Sequence, residues 1–150
     1  MGDDRIGDLL VRQGYPDEAL SAYRDGLAIA KGLAEKDPGN AEWQRDLSVS
    51  DDRIGDVLAA TGEIDTALAS YRDSLAIRSL QAQRDPSNVL WQIDLAVSLC
   101  KVASAGGEPE VNLARADAIL KRLYGAGALP PDKRSWMDDV ESALEKVKGE

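Results

Sequence analysis

Asp3, Asp4 and Asp8 recur as Asp51, Asp52 and Asp56, in octets that read DDRIGDLL and DDRIGDVL. Such clustered carboxylates have two obvious uses, to gather a cation or to attract a basic group. Acids at helical spacing lack the flexible loop and carbonyl oxygens that a calcium site uses, so neither a metal nor another cofactor is expected. The chain contains no histidine, which removes the commonest general base and the usual catalytic triads. Cys100 is the sole cysteine and stands beside Leu99 with no base to activate it, so it reads as a small packing residue. Gly106-Gly107 has neither the spacing nor the lysine of a phosphate-binding loop. The expectation is a protein that is not an enzyme.

Composition narrows the classes further. The 150 residues carry a net charge of −9, which argues against nucleic acid, because affinity for phosphates depends on clustered Lys and Arg. No run approaches the roughly 18 apolar residues of a membrane span. The opening MGDDRIGDLL is acidic where a secretory signal is basic, and Ile6 stands where a myristoylation motif has Ser or Thr. A single cysteine forms no internal disulfide and suits a reducing compartment, so a cytoplasmic protein is expected.

The elements that position these residues follow from the repetition. Asp3–Ser50 and Asp51–Ser98 align without a gap and share 27 of 48 positions. A fixed period of this length marks a repeat architecture, in which neighbouring units cover one another's apolar faces. Apolar residues within the period recur at helical spacing, as in Ala19, Leu20, Tyr23, Leu27, Ala30 and Ala34. Gly14 and Pro16, and then Pro38 and Asn40, punctuate the first copy as helix stops and starts. This spacing predicts helices near residues 3–13, 16–36, 40–61, 64–84 and 88–105, joined by short antiparallel turns. Beyond Ser98 the pattern weakens, yet Ala116, Ile119, Leu120 and Leu123 mark another amphipathic helix after Gly106-Gly107. A last helix near 131–148 presents Asp138, Asp139, Glu141, Glu145 and Lys146, as a terminal cap would. Trp43, Trp91 and Trp136 each stand near a helix start and read as staples between units.

The residues then resemble tetratricopeptide repeats (TPR), in the longer-period form of bacterial repeat proteins and, more loosely, kinesin light chains. Ile6-Gly7, Leu10, Gly14, Ala19-Leu20, Tyr23 and Leu27 match the family's spacing, as do Ile54-Gly55, Leu58, Gly62, Ala67-Leu68, Tyr71 and Leu75. The third copy has Val102-Ala103 in place of Ile-Gly. The resemblance implies an all-α fold, a right-handed α-solenoid of antiparallel helical hairpins with about seven helices. It places repeats at about 3–50 and 51–98, a degenerate third at about 99–128, and the cap at about 131–148 of a single repeat domain.

In that family the first helix of each hairpin lines a concave groove that receives a peptide or a partner's helix. Carried over by position, the groove residues are Asp4, Asp8, Val11 and Arg12 in the first copy, and Val49, Asp52, Asp56, Ala59 and Ala60 in the second. The third copy supplies Val97, Cys100 and Ser104. Asp4 with Asp8 and Asp52 with Asp56 lie one turn apart, giving a negative groove suited to a basic protein or peptide with apolar anchors. The Lys and Asn of the family's carboxylate clamp are not matched. Asp3 and Asp51 stand where many members have an aromatic residue, and the first repeat begins abruptly. A fragment of a longer array, or a unit that oligomerises through this incomplete repeat, is the alternative expectation.

Overall fold

The computed structural model describes Ile6, Gly7, Leu9, Leu10 and residues 14–150. Helix starts come from the same device in both copies. The side-chain oxygen of Asn40 accepts a hydrogen bond from the Trp43 backbone N–H at 3.1 Å, and that of Asn88 accepts from Trp91 N–H at 3.0 Å. Each satisfies one of the donors that the first turn leaves without an intrahelical partner, worth about 1 kcal/mol per cap. Pro16 and Pro109 enter other helices in their first turns, where no backbone donor is needed.

The resulting helices are α1 (Pro16–Lys36), α2 (Ala41–Ala60), α3 (Ile64–Arg84), α4 (Val89–Ser104), α5 (Pro109–Gly125) and α6 (Arg134–Lys148). A single 3₁₀ turn, Pro131–Lys133, leads into α6, and no strand occurs among the described residues. The bounds agree closely with those expected from punctuation. Ile6, Gly7, Leu9 and Leu10 have helical backbone, while the rest of the helix expected near 3–13 lies outside the described residues. The chain divides between Ile77 and Arg78 into two compact units.

In the first unit α1 packs on α2. Ala19, Tyr23, Ala30 and Ala34 of α1 are buried, as are Ile54, Val57 and Leu58 of α2 and Ala67 and Tyr71 of α3. The closest approach is between Gly55 and Tyr71. A Cβ added to Gly55 would lie 2.5 Å from the Tyr71 ring, and one added to Gly7 would collide with the Tyr23 ring. Glycine is therefore required by its neighbour at both places, and the two tyrosines are core residues, as their spacing suggested. The Tyr71 hydroxyl donates to Asp56 Oδ1 at 2.7 Å, which satisfies the one polar atom of a ring only 4% exposed.

In the second unit α4 packs on α5 and α5 on α6. Leu99 and Leu120 are fully buried, and burial of such a side chain contributes roughly 1.5–3 kcal/mol. Arg78 is also buried. Its Nη1 donates to the Asp94 carbonyl oxygen at 3.3 Å and to Ser98 Oγ at 3.0 Å, so the charge enters the interior with hydrogen-bond acceptors around it. The turn into α5 is tight: Gly106 has φ +90°, and Glu108 is left-handed at φ 45°. The buried Asn112 holds this turn by donating from Nδ2 to Gly107 O at 2.8 Å.

The Gly55 contact leads to a direct expectation. Gly55→Ala forces a methyl group against the buried Tyr71 ring, and should cost about 1–3 kcal/mol. Gly32→Ala, where an added Cβ meets nothing within 4 Å, should not destabilise. Chemical denaturation of both variants checks this, and equal stability would show that the Tyr71 ring can move aside.

Candidate partner-binding cleft

The expected groove positions fall into three groups. Asp4, Asp8, Val11 and Arg12 lie outside the described residues. On α2, Val49 and Ala59 are half-buried, Ala60 is exposed, Asp52 is buried and Asp56 is exposed. Although Asp52 and Asp56 are one turn apart, they occupy different surroundings, and Asp56 accepts the hydrogen bond from Tyr71. Burial, followed by that bond, raises the Tyr71 hydroxyl well above its ordinary pKa.

The positions on α4 do come together. Val97, Cys100 and Ser104 face one cleft with Trp136 of α6. The spacing of three and then four residues puts all three on one face of α4. An adjoining cavity of about 360 Å³ shares Cys100, Ser104 and Trp136 and continues along α6 past Val140, Ala143 and Val147. Pro109 and Leu113 of α5 form its floor. The α6 residues again follow helical spacing, at intervals of four, three and four. The lining is almost wholly apolar, with Asp139 on the α6 side and Lys101 on the α4 side as its charged members. Lys121 of α5 pairs with Asp117 at 3.0 Å and with Glu141 of α6 at 3.5 Å, which ties the two helices beside the cleft.

Chemically the cleft is an apolar surface. Burial pushes the Cys100 thiol up to about 11, so it is neutral near pH 7 and forms part of the apolar wall. Among the described residues no group of three or more Cys, Asp or Glu is placed to hold a metal ion. Trp136, in the first turn of α6, is half-buried and stands at the junction of the two cavities. The charged residues of α6 mask the apolar stripe Trp136, Val140, Ala143 and Val147, which is nonetheless legible in the sequence by its helical spacing. Compared with protein-family models, curated proteins and solved structures, the chain finds no match.

Asp51, in the first unit, is a second chemical feature. It is 7% exposed, and its pKa is raised to about 7 by burial first and then by Asp73 and Asp52, with Lys31 acting in the opposite sense. At the same distance from its cap, α4 places the fully buried Leu99. The folded pKa lies above the ordinary 3.8, so the folded chain holds a proton that the unfolded chain releases. Stability should therefore fall as pH rises from about 4 to about 7 and change little beyond. Asp51→Leu should flatten that dependence and stabilise the protein at pH 8, as read from thermal unfolding across pH. An unchanged slope in the variant would assign the dependence to other groups.

Proposed function

We propose that the chain is a non-catalytic interaction scaffold of the tetratricopeptide-repeat kind, working in the cytoplasm, whose α4–α6 cleft receives a partner segment. The observation that carries this reading is the convergence of Val97, Cys100 and Ser104 with Trp136 on one apolar cleft. Those three positions follow from the family's groove register, whereas Trp136 and its α6 stripe come from the geometry alone. The helical hairpins, the paired glycine and tyrosine contacts and the neutral thiol are all consistent with packing and binding rather than turnover. A right-handed solenoid of such hairpins is the arrangement proposed for the chain.

The occupant proposed is a protein segment with apolar anchors for the cleft and basic residues at its margin. Asp138 and Asp139 are exposed on α6, and the whole chain is acidic, so positive charge is favoured over negative at this rim. Selection from a displayed random-peptide library tests this. Enriched peptides should combine aliphatic or aromatic residues with Lys or Arg. Trp136→Ala should weaken their binding about tenfold or more, the usual loss for a buried aromatic anchor. Enrichment of acidic peptides, or equal binding by the Trp136→Ala variant, would refute the proposed occupant.

A second reading is supported by Ile6 and Leu9, which are 54% and 53% exposed and three residues apart on a helical backbone. Covered by a second copy, they would make the chain an assembly unit. Light scattering across a dilution series should then show a concentration-dependent oligomer, abolished by Ile6→Asp with Leu9→Asp. A monomer at every concentration rejects this reading and leaves the cleft proposal intact.

A further inference from the structure

The second unit carries another cavity, of about 280 Å³, that shares no residue with the α4–α6 cleft. Its apolar base is formed by Ala82 of α3, Leu95 of α4 and Ile119 of α5, all buried. Its polar lining is of a different kind. Arg115 and Arg122 enter from α5, while Ser79 and Gln83 of α3 add groups able to donate hydrogen bonds. No Asp or Glu lines it.

The two arginines are seven residues apart, which is two helical turns, so both lie on one face of α5 with a separation of about 10 Å along the axis. Arg122 is held in place. Its Nη2 donates to the Gln92 side-chain oxygen at 2.8 Å, and Gln92, itself 5% exposed, donates through Nε2 to the Ala82 carbonyl at 3.4 Å. Arg115 forms no hydrogen bond or ion pair among the described residues, and neither guanidinium is paired with a carboxylate there. Asp85, the acid in the adjoining loop, is engaged by Ser87, whose hydroxyl and backbone N–H both donate to its Oδ1, at 2.6 and 3.2 Å. In a chain with net charge −9, two guanidinium groups sharing one cavity without a carboxylate between them form a local positive site.

We infer that this cavity binds an acidic protein segment that presents two carboxylates about 10 Å apart, one to Arg115 and one to Arg122. Acids seven residues apart on a helix laid along α5 have that spacing, because the two helices rise equally per residue. Each guanidinium can receive a carboxylate through two parallel hydrogen bonds, and Gln92 fixes the fork of Arg122 in advance of binding. The apolar base supplies a floor for a small or aliphatic residue between the two acids. The ligand differs in sign from the one proposed for the α4–α6 cleft, so the two sites would select different partners.

The test uses the full chain and a labelled, alanine-rich helical peptide carrying two glutamates seven residues apart, with the same peptide carrying glutamines as control. Fluorescence anisotropy at low salt should show binding of the glutamate peptide, at least about tenfold weaker binding of the glutamine peptide, and weakening with added salt. Arg115→Gln with Arg122→Gln should abolish binding, whereas Lys133→Gln with Lys148→Gln, which removes equal charge elsewhere, should retain it. Arg115→Gln alone removes no polar contact within the described residues and should already weaken binding about tenfold. Equal binding of both peptides, equal loss in the two double variants, or no binding at all overturns the inference. Displacement of the peptide by equimolar inorganic phosphate also overturns it, by reducing the cavity to a simple anion site.

Discussion

The seating of the Tyr71 ring on Gly55 is the constraint from which the first unit follows. Without a side chain at residue 55, α3 can approach α2 closely enough for a buried tyrosine to fill the space between them. The ring then has only one polar atom to satisfy, and Asp56, the next residue of α2, accepts from it. A small residue, a large one and an acceptor form one unit of design, and Gly7 and Tyr23 repeat its steric half. The buried residues that α1 and the start of α3 add beside the tyrosines can be short, as Ala19, Ala30, Ala34 and Ala67 are, while Ile54, Val57 and Leu58 of α2 supply the larger aliphatic groups.

The second unit solves the same problem by other means. Ala103 replaces glycine in the 48-residue register, and α4 ends at Ser104, four residues before the place where α2 ends. Leucines and isoleucine on α5 fill the interior that tyrosine fills in the first unit. Polar groups enter this interior deliberately: Arg78 against Ser98, Gln92 between Ala82 and Arg122, Asn112 across the Gly106-Gly107 turn. Those contacts fix the directions in which α3, α4 and α5 meet more sharply than apolar packing alone, because hydrogen bonds are directional and costly to break when buried.

Helix positions were legible in the sequence because the repeated octets, the Asp-Pro breaks and the Asn caps are local signals that act within a few residues. Tyr23 and Tyr71 were likewise legible as core, since leucine and alanine flank them at helical spacing. The surroundings of individual acids were not. Asp51, Asp52 and Asp56 are near neighbours in the chain, and only the packing of α1 and α3 around α2 buries two of them and leaves the third outside. Half of the α4–α6 cleft was foreshadowed by Val97, Cys100 and Ser104. The other half depends on which stripe of α6 turns inward, a matter of packing against α4 and α5 that the dense charge on its outer face does not reveal. Arg78 and the Gln92–Arg122 contact join residues 16 to 30 positions apart, too far for any local pattern to register.

Near-identity between two stretches of one chain carries a hazard during folding, because either stretch can mispair with the other's partner helix. Arg78 bears on that hazard. The corresponding residue of α1 is Ala30, and Leu99 of α4 corresponds to Asp51 of α2. An α1 set in the place of α3 would bring Ala30 where Arg78 meets Ser98 Oγ and the Asp94 carbonyl, and an α2 set in the place of α4 would bring Asp51 where the fully buried Leu99 belongs. The first error loses two buried hydrogen bonds and the second sets a carboxyl in an apolar interior, so both are disfavoured. The few positions at which the copies disagree thus act as addresses, directing each helix to its own berth in a chain whose remaining text would permit confusion.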